Sequence, residues 1–155
     1  MLKKEKELSE QNRFCGWTLK QWGMYFLLIL TTMSVIQNFF FTVSSTEGPS
    51  MQPTFYTGDI VIVSRVAYWF NEPEQGDIVM AIDKDGTSVV KRIARVPGDA
   101  TYLSKTGKSL TIPNGRYYLL GDNAKESYDS RYYGCLPREQ IFGKVVYTFK
   151  VSKER

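Results

Sequence analysis

Residues 76–99, GDIVMAIDKDGTSVVKRIARVPGD, decide the fold of this chain. They contain two runs of β-branched and apolar residues, bounded by glycine, aspartate and proline, a pattern typical of short β-strands. Three more segments show the same pattern: DIVIVSRVA (59–67), GRYYLLG (115–121) and QIFGKVVYTFKV (140–151). The stretch LSKTGKSLTI (103–112) predicts a hairpin that turns at Thr106-Gly107.

No segment after residue 46 shows a helical period, so the sequence predicts an all-β, antiparallel domain over residues 44–155, without βαβ units or internal repeats. The whole chain has 155 residues, enough for one compact domain and an anchor. Its net charge is +4, and no dense basic stripe follows the first few residues. Nucleic acid is therefore not an expected partner.

An uncharged segment precedes this domain. The 26 residues from Gln21 to Thr46 carry no charge, and their centre, MYFLLILTTMSVIQNFFFTV (24–43), is long enough to cross about 30 Å of hydrocarbon. We predict one transmembrane helix over residues 21–43. A buried helix of a soluble protein is the alternative. A cleavable signal peptide fits poorly, because bulky aromatic residues stand where small residues would be expected before a cleavage site.

The polar tail over residues 1–20 carries five basic and three acidic residues. By the positive-inside rule this end should stay in the cytoplasm, which makes the chain a single-pass protein of the cell membrane with residues 44–155 outside. Three consecutive aromatic residues, Tyr68, Trp69 and Phe70, are expected either at the lipid interface or in the core.

The absence of histidine restricts the chemistry of the chain. Without this residue there can be no Ser-His-Asp triad, no Cys-His dyad and no zinc site with a histidine ligand. Neither a metal nor an organic cofactor is implied. Reactive side chains lie beside Gly and Pro turns in three stretches: GPSMQPT (48–54), VVKRIARVPGD (89–99) and LGDNAKESYDSRYYG (120–134).

Ser50 in the first stretch needs a base to become a nucleophile, and Lys91 in the second is the candidate. Its apolar strand would desolvate the ammonium group and lower its pKa. Each residue also has an ordinary interpretation, as a turn serine and as a solvated strand lysine. Likewise, GDN at 121–123 could be a plain turn, and Asp129 and Arg131 a weak surface ion pair.

In combination, the anchor, SMQPT, KRIARVPGD and GDNAKESYDSRYYG, in this order, resemble the type I signal peptidases, and the single anchor with a compact outer domain is similar to their Gram-positive form. The resemblance covers nearly the whole chain after the anchor. It implies a membrane serine endopeptidase that removes signal peptides with small residues at the cleavage site from exported preproteins. Membrane lipid is then a second partner.

The resemblance also implies a role for each matching residue. Ser50 is the nucleophile and its backbone N–H an oxyanion donor, and Lys91 is the general base in its neutral form. Ser127 orients the amine. The residues expected to support the site are Asp122, Asn123, Asp129 and Arg131. Gly48 stands where some members carry a serine that lines the oxyanion hole, so the second donor stays open, and the accessory ribbon is expected to be reduced to the hairpin over residues 103–112.

Two other functions remain open on these residues. One is a specialised Ser-Lys maturation peptidase for a single pilin or conjugation substrate. The other is a non-catalytic, signal-peptidase-like pilus assembly factor, although such proteins usually lose the serine or the lysine. A relative of the self-cleaving repressors would need a DNA-binding module in place of the anchor.

Overall fold

The computed structural model describes residues 13–14, 17–102 and 109–151. The chain divides into two compact units, residues 1–39 and 40–155. The first contains two short paired strands, β1 (Arg13–Phe14) and β2 (Trp17–Thr18), and nearly all of helix α1 (Leu19–Phe40). Residues Leu19–Gln37 of α1 are long and apolar enough to cross a membrane.

The helix ends three residues earlier than predicted. Residues 41–43 were expected to continue it, but they open strand β3 (Phe41–Ser45), which pairs with β4 (Ile60–Ser64). The run FTVSS is rich in β-branched and small polar residues, which fit a pleated edge better than a helix. Absence of charge therefore marked the end of the apolar segment correctly but not the end of the helix.

The second unit is built on a seven-stranded antiparallel sheet, so the predicted fold class is confirmed. Its spatial order is β10-β9-β6-β5-β11-β4-β3. The remaining strands of this sheet are β5 (Ile78–Ile82), β6 (Ser88–Arg95), β9 (Arg116–Leu120), β10 (Leu136–Pro137) and β11 (Ile141–Phe149). All five segments that the sequence predicted as strands are found.

Three register shifts bend this sheet. Two lie on β11, opposite β5 and β4, and one lies between β6 and β9. Bulges of this kind increase local twist and curvature. At Gly143, in one of them, a methyl group would overlap the Ser64 carbonyl oxygen, so the close strand approach there requires glycine.

Only part of the predicted hairpin over residues 103–112 can be compared with the structure. Its second arm contains strand β8 (Ser109–Thr111), which pairs with β7 (Ala100–Tyr102), a strand just before the predicted range. The predicted first arm and the turn at Thr106-Gly107 lie outside the described residues. The expectation of no helix after residue 46 is wrong for two short pieces, α2 (Ser130–Tyr133) and a 3-10 turn (Arg138–Gln140). Helices of three or four residues are too short to show a period in the sequence.

Apolar side chains pack in separate clusters around the sheet. The largest contains Val79, Ala81, Ile93, Leu119 and Leu136, among others. Met80, between Val79 and Ala81 on β5, belongs instead to a second cluster, because successive side chains of a strand point to opposite faces. This second cluster also buries Met51 and Phe55, which follow the candidate nucleophile in the chain.

Candidate active site

Ser50 begins the turn that follows β3. Its neighbour Met51 is 4% exposed and Phe55 is 5% exposed, and both pack against Val61 and Val63 of β4. Their burial fixes the turn on the sheet, so Met51 in the SMQPT motif serves to hold the serine in place. On the other side, the Ser50 carbonyl accepts a hydrogen bond of 3.0 Å from the Asn123 backbone N–H.

Lys91 lies in β6, opposite Val79 of β5. It is only 3% exposed, and Lys91 and Ile93 are the two buried residues of this strand. The structure therefore rejects the alternative of a solvated, outward-facing lysine. Within the described part of the chain, burial and nearby charges act on the Lys91 amine, but no hydrogen bond to it is found.

The environment of Lys91 favours its neutral form. Burial lowers the pKa of the Lys91 ammonium below its ordinary value. Asp129 opposes this shift, Arg131 adds to it, and Asp83 opposes it, but burial is the largest of these influences. The result is an amine that loses its proton more readily than a surface lysine.

Ser50 and Lys91 line one cleft of about 370 Å³. One wall is formed by residues 44–48 at the end of β3, and the opposite wall by residues 87–91 of β6. Met51, Phe55, Met80 and Val90 give the cleft an apolar floor. Three strands, β4, β11 and β5, separate β3 from β6 in the sheet, so the curvature of the sheet brings the two walls together.

Ser127 lies beside the nucleophile turn. A methyl group on Gly121 would overlap both the Ser127 hydroxyl and the Ser50 carbonyl oxygen, so these two groups converge on the same glycine. The side chain of Ser127 is buried, and its hydroxyl lies close enough to the Asp129 carboxylate to help lower the pKa of that group, but it forms no hydrogen bond of good geometry among the residues that the structure describes. A buried hydroxyl without a well-formed hydrogen bond is costly, about 1–3 kcal/mol, which marks Ser127 as a candidate functional group.

Asp129 and Arg131 form a buried pair, not the surface pair of the ordinary interpretation. The Asp129 side chain is fully buried, and its carboxylate accepts hydrogen bonds from the Arg131 guanidinium at 2.6 and 2.8 Å. It also accepts from the Gly121 N–H at 3.0 Å. Burial alone would raise the pKa of Asp129, but the Arg131 and Gly121 hydrogen bonds outweigh it and hold this pKa below the usual range.

Asp122 belongs to a network that the sequence analysis did not foresee. Its carboxylate accepts two hydrogen bonds of 2.8 Å from Arg92 and one from the Thr54 hydroxyl. The Arg92 hydrogen bonds are the main reason that the pKa of Asp122 lies below its usual range. Thr54 and Arg92 lie in the same two motifs as Ser50 and Lys91. Their place in these motifs was the one sequence feature that could have indicated a role for them at the site.

Of the expected site residues, Gly48, Ser50 and Lys91 line the cleft, whereas the residues of the 121–131 segment support it from outside its lining. Asn123 acts through its backbone N–H, and Asp129 through Gly121 and Arg131. Gly48 lines the cleft with a φ of 77°, and a methyl group there would meet no atom within 4 Å. Among the described residues, no group of acidic, cysteine or histidine side chains is arranged to hold a metal ion.

Comparison with known proteins agrees with this arrangement. The family model for signal peptidase, peptidase S26, matches residues 19–108 and 100–150. The chain belongs to this family. The predicted resemblance to type I signal peptidases and the predicted enzyme class, a serine endopeptidase, are therefore confirmed.

Individual relatives lead to the same family. The chain is 38% identical to mitochondrial inner membrane protease subunit 1 of Schizosaccharomyces pombe, over 72% of this chain and 74% of that protein. It is 28% identical to signal peptidase IB of Staphylococcus aureus, over 84% and 89%. The match to probable signal peptidase I-2 of Synechocystis is 31% identical over 64% of this chain, and it spans 59% of the length of that protein.

Proposed function

We propose that this chain is a membrane-anchored peptidase that removes signal peptides from exported preproteins with a Ser50/Lys91 dyad. The observation that carries the proposal is the burial of a lysine, unpaired among the described residues, in the cleft that also holds Ser50. Family membership supplies the class of reaction. The roles of the individual residues are proposed from the family resemblance, and the shared cleft of Ser50 and Lys91 supports the two central ones.

In the proposed mechanism, the neutral Lys91 amine accepts the proton of the Ser50 hydroxyl while its oxygen attacks the scissile carbonyl carbon. The resulting Lys91 ammonium gives this proton to the leaving amine as the peptide bond breaks. A water molecule then gives a proton to Lys91 as it attacks the carbonyl carbon of the Ser50 ester. When the ester C–O bond breaks, the Lys91 ammonium returns the proton to the Ser50 oxygen, and the signal peptide leaves with a new C-terminal carboxyl group. Each step uses one base, whose lowered pKa suits it to both directions of transfer.

Two polar groups complete this proposed centre. The Ser50 backbone N–H has no acceptor in the described part of the chain and can donate to the oxyanion. Gly48 offers no side-chain donor, so a second donor must come from the backbone or from water. The buried Ser127 hydroxyl is proposed to orient the amine of Lys91 through a hydrogen bond, since both residues interact with Asp129.

The substrate is proposed to bind as an added strand. Strand β3 pairs only with β4, and β6 pairs with β9 only from Arg92 onward, so the edges beside the cleft are unpaired among the described strands. Four successive antiparallel pairings lead from β3 to β6, which therefore run in the same direction. We take an extended peptide between them to run parallel to both, because β3 directly follows the apolar helix in this chain, just as the cleavage site follows the apolar segment of a signal peptide. The peptide would hydrogen-bond through its backbone. Small residues next to the scissile bond fit the shallow apolar floor.

The location is proposed from the anchor. Helix α1 would cross the cell membrane once, with the basic tail in the cytoplasm and the β domain outside, where exported preproteins emerge. Protease treatment of intact protoplasts would test this orientation: digestion of the β domain from outside is expected, and protection of that domain would contradict it.

A variant series tests the dyad. Detergent-solubilised protein should convert a preprotein to its mature form, detected by the mass of the new N-terminus, whereas Ser50→Ala and Lys91→Ala should lose cleavage with the β-sheet circular dichroism retained. Ser127→Ala should lose less, because it removes an orienting hydrogen bond and no reacting atom. The wild-type rate should rise with pH as the Lys91 amine loses its proton.

The same assay separates the remaining alternatives. Turnover in folded Ser50→Ala or Lys91→Ala, or a rate that is flat with pH, would reject the dyad. Cleavage of a single preprotein in a panel would favour the specialised maturation peptidase. A well-folded wild-type protein that cleaves no preprotein would favour the non-catalytic assembly factor.

A further inference from the structure

A second groove continues the cleft at its end remote from Lys91. It has a volume of about 320 Å³ and shares Ser44, Met80 and Ser88 with the cleft. Its own lining is mostly apolar and includes Val43, Ile82 and Phe142. No charged side chain is among the described residues that line it, and the proposed chemistry does not use it.

The groove should contact the part of the substrate that precedes the scissile bond, as both strands beside the cleft indicate. On β3 the groove is lined by residues 42–44, which precede Ser50, and on β6 and the turn before it by Gly86 and Ser88, which precede Lys91. A substrate parallel to both strands therefore reaches the groove with residues that precede its cleavage site. Because Gly86 and Ser88 lie five and three residues before Lys91, the groove should face substrate positions −4 to −6, counted back from the scissile bond.

The pleat narrows this choice to one position. In the hairpin of β5 and β6, Met80 pairs with Val90 and Ile82 pairs with Ser88, two residues further along the same face. The first pair lies in the floor of the cleft and the second lines the groove. In an extended substrate the side chains at −1, −3 and −5 share one face. The side chain that enters the groove is then the one at −5.

We infer that this groove, lined by Val43, Ile82 and Phe142, binds a bulky apolar side chain, such as leucine, at position −5 of the substrate. This inference rests on the proposed function and adds a second selection step to it. The small residues at −1 and −3 would be recognised by size, and the residue at −5 by burial of apolar surface. The side chains at −4 and −6 would point away from the sheet and add little.

A leucine scan tests the inference on the full-length protein. Internally quenched peptides keep alanine at −1 and −3 and carry one leucine at −2, −4, −5, −6 or −7 in an otherwise polar sequence. We expect leucine at −5 to raise kcat/KM about five- to tenfold over serine, as partial burial of one such side chain allows. Equal rates at all positions, or a maximum at another position, would overturn the assignment while leaving the proposed peptidase function intact.

Variants of the groove show whether it is the binding site. The selectivity for leucine over serine at −5 should fall to about twofold or less in Val43→Ser/Ile82→Ser. The matched control is Val146→Ser, an exposed valine of β11 that does not line the groove, and it should keep the selectivity. Ile82→Lys should reverse the preference in favour of glutamate at −5, a result that loss of folding cannot produce.

Two further outcomes would contradict the inference, and a third would contradict the proposed function instead. Leucine selectivity that survives in both groove variants would place the subsite elsewhere. A leucine effect that disappears when phosphatidylglycerol vesicles are added would assign the groove to a lipid chain. Failure to cleave any peptide would instead reject the proposed function on which the inference rests.

Discussion

At the scale of the residue, the functional requirement on Lys91 conflicts with stability. Burial lowers the pKa of the Lys91 ammonium in the folded protein, so the folded state loses this proton at a lower pH than the unfolded chain does, and burying the charged form costs stability. The sequence placed this lysine in an apolar strand, and the structure buries it almost completely. The sequence could not predict that the Lys91 amine lacks a hydrogen bond among the described residues, because its surroundings come from distant parts of the chain.

We therefore predict that Lys91→Met stabilises the protein while it abolishes cleavage. Burial lowers the pKa of Lys91 in the folded state. The buried ammonium therefore reduces the unfolding free energy of the wild type at low and neutral pH. This loss of stability shrinks as the pH rises above the folded-state pKa, and it is gone above the unfolded-state pKa of about 10.4. At pH 7 the variant should gain about 1 kcal/mol or more in unfolding free energy. Urea unfolding at pH 7 and pH 10 checks this, and an equal difference at both pH values would contradict it.

At the scale of the element, two motifs are joined by Asp122. It links Thr54, in the turn after Ser50, to Arg92, next to Lys91 on β6. Both segments could be identified in the sequence from their motifs. The contact between residues 54, 92 and 122 could not be predicted, because it joins distant parts of the chain and leaves no periodic pattern. The strands themselves were predictable from alternation, whereas edge strand β3 was hidden in the uncharged run.

Asp122→Asn should therefore lower kcat about tenfold and cost only about 1 kcal/mol of stability, because it weakens the link that sets Ser50 against Lys91. The lowered pKa of Asp122 keeps its carboxylate charged throughout the alkaline range of the assay. The matched control is Asp77→Asn, which disturbs the Lys144 ion pair and the Tyr68 hydrogen bond away from the cleft. Equal losses of kcat in the two variants would show that the link has no special role.

The three consecutive aromatic residues at 68–70, expected either at the lipid interface or in the core, do not share one environment. Tyr68 is buried and donates a hydrogen bond to Asp77, whereas Phe70 is 93% exposed. Trp69 is half exposed, and its ring lies 6.0 Å from that of Phe40, the last residue of α1. If α1 spans the membrane, Trp69 and Phe70 belong at the lipid interface, where aromatic residues are favoured.

This placement predicts that Trp69 fluorescence is quenched by brominated lipid. In vesicles, a chain with Trp17→Phe and Trp22→Phe keeps Trp69 as its single tryptophan. Quenching should exceed that in unbrominated vesicles at least twofold, and Phe70→Asp should reduce it by withdrawing the loop. Full accessibility of Trp69 to aqueous acrylamide, with no effect of bromine, would contradict the placement.

At the scale of the whole molecule, the two compact units should differ in what they contribute. The second unit, residues 40–155, contains the entire cleft, and the first contains most of the apolar helix. A shared membrane confines enzyme and preprotein to one surface and so raises their effective concentration without any new contact. The helix then increases how often enzyme and preprotein meet and takes no part in the chemical steps.

Removal of residues 1–39 should therefore leave cleavage of a short soluble peptide within about twofold of the full chain. Cleavage of a preprotein embedded in vesicles should fall by a factor of ten or more, in line with the avidity that tethering provides. Both rates are measured with equal amounts of folded protein, checked by circular dichroism. Equal loss on both substrates would mean that the first unit supports the cleft itself.

The unpaired edges of β3 and β6 limit which conformation of a preprotein can be cleaved. Both edges line the same cleft of about 370 Å³, and a client that binds as an added strand between them, as proposed, must enter as a single extended chain and not as a folded domain. The segment being cut must consequently be free of structure on both sides of the bond. Processing is thereby coupled to export: a preprotein that folds too early, too close to its own start, would keep its signal peptide however good the cleavage site.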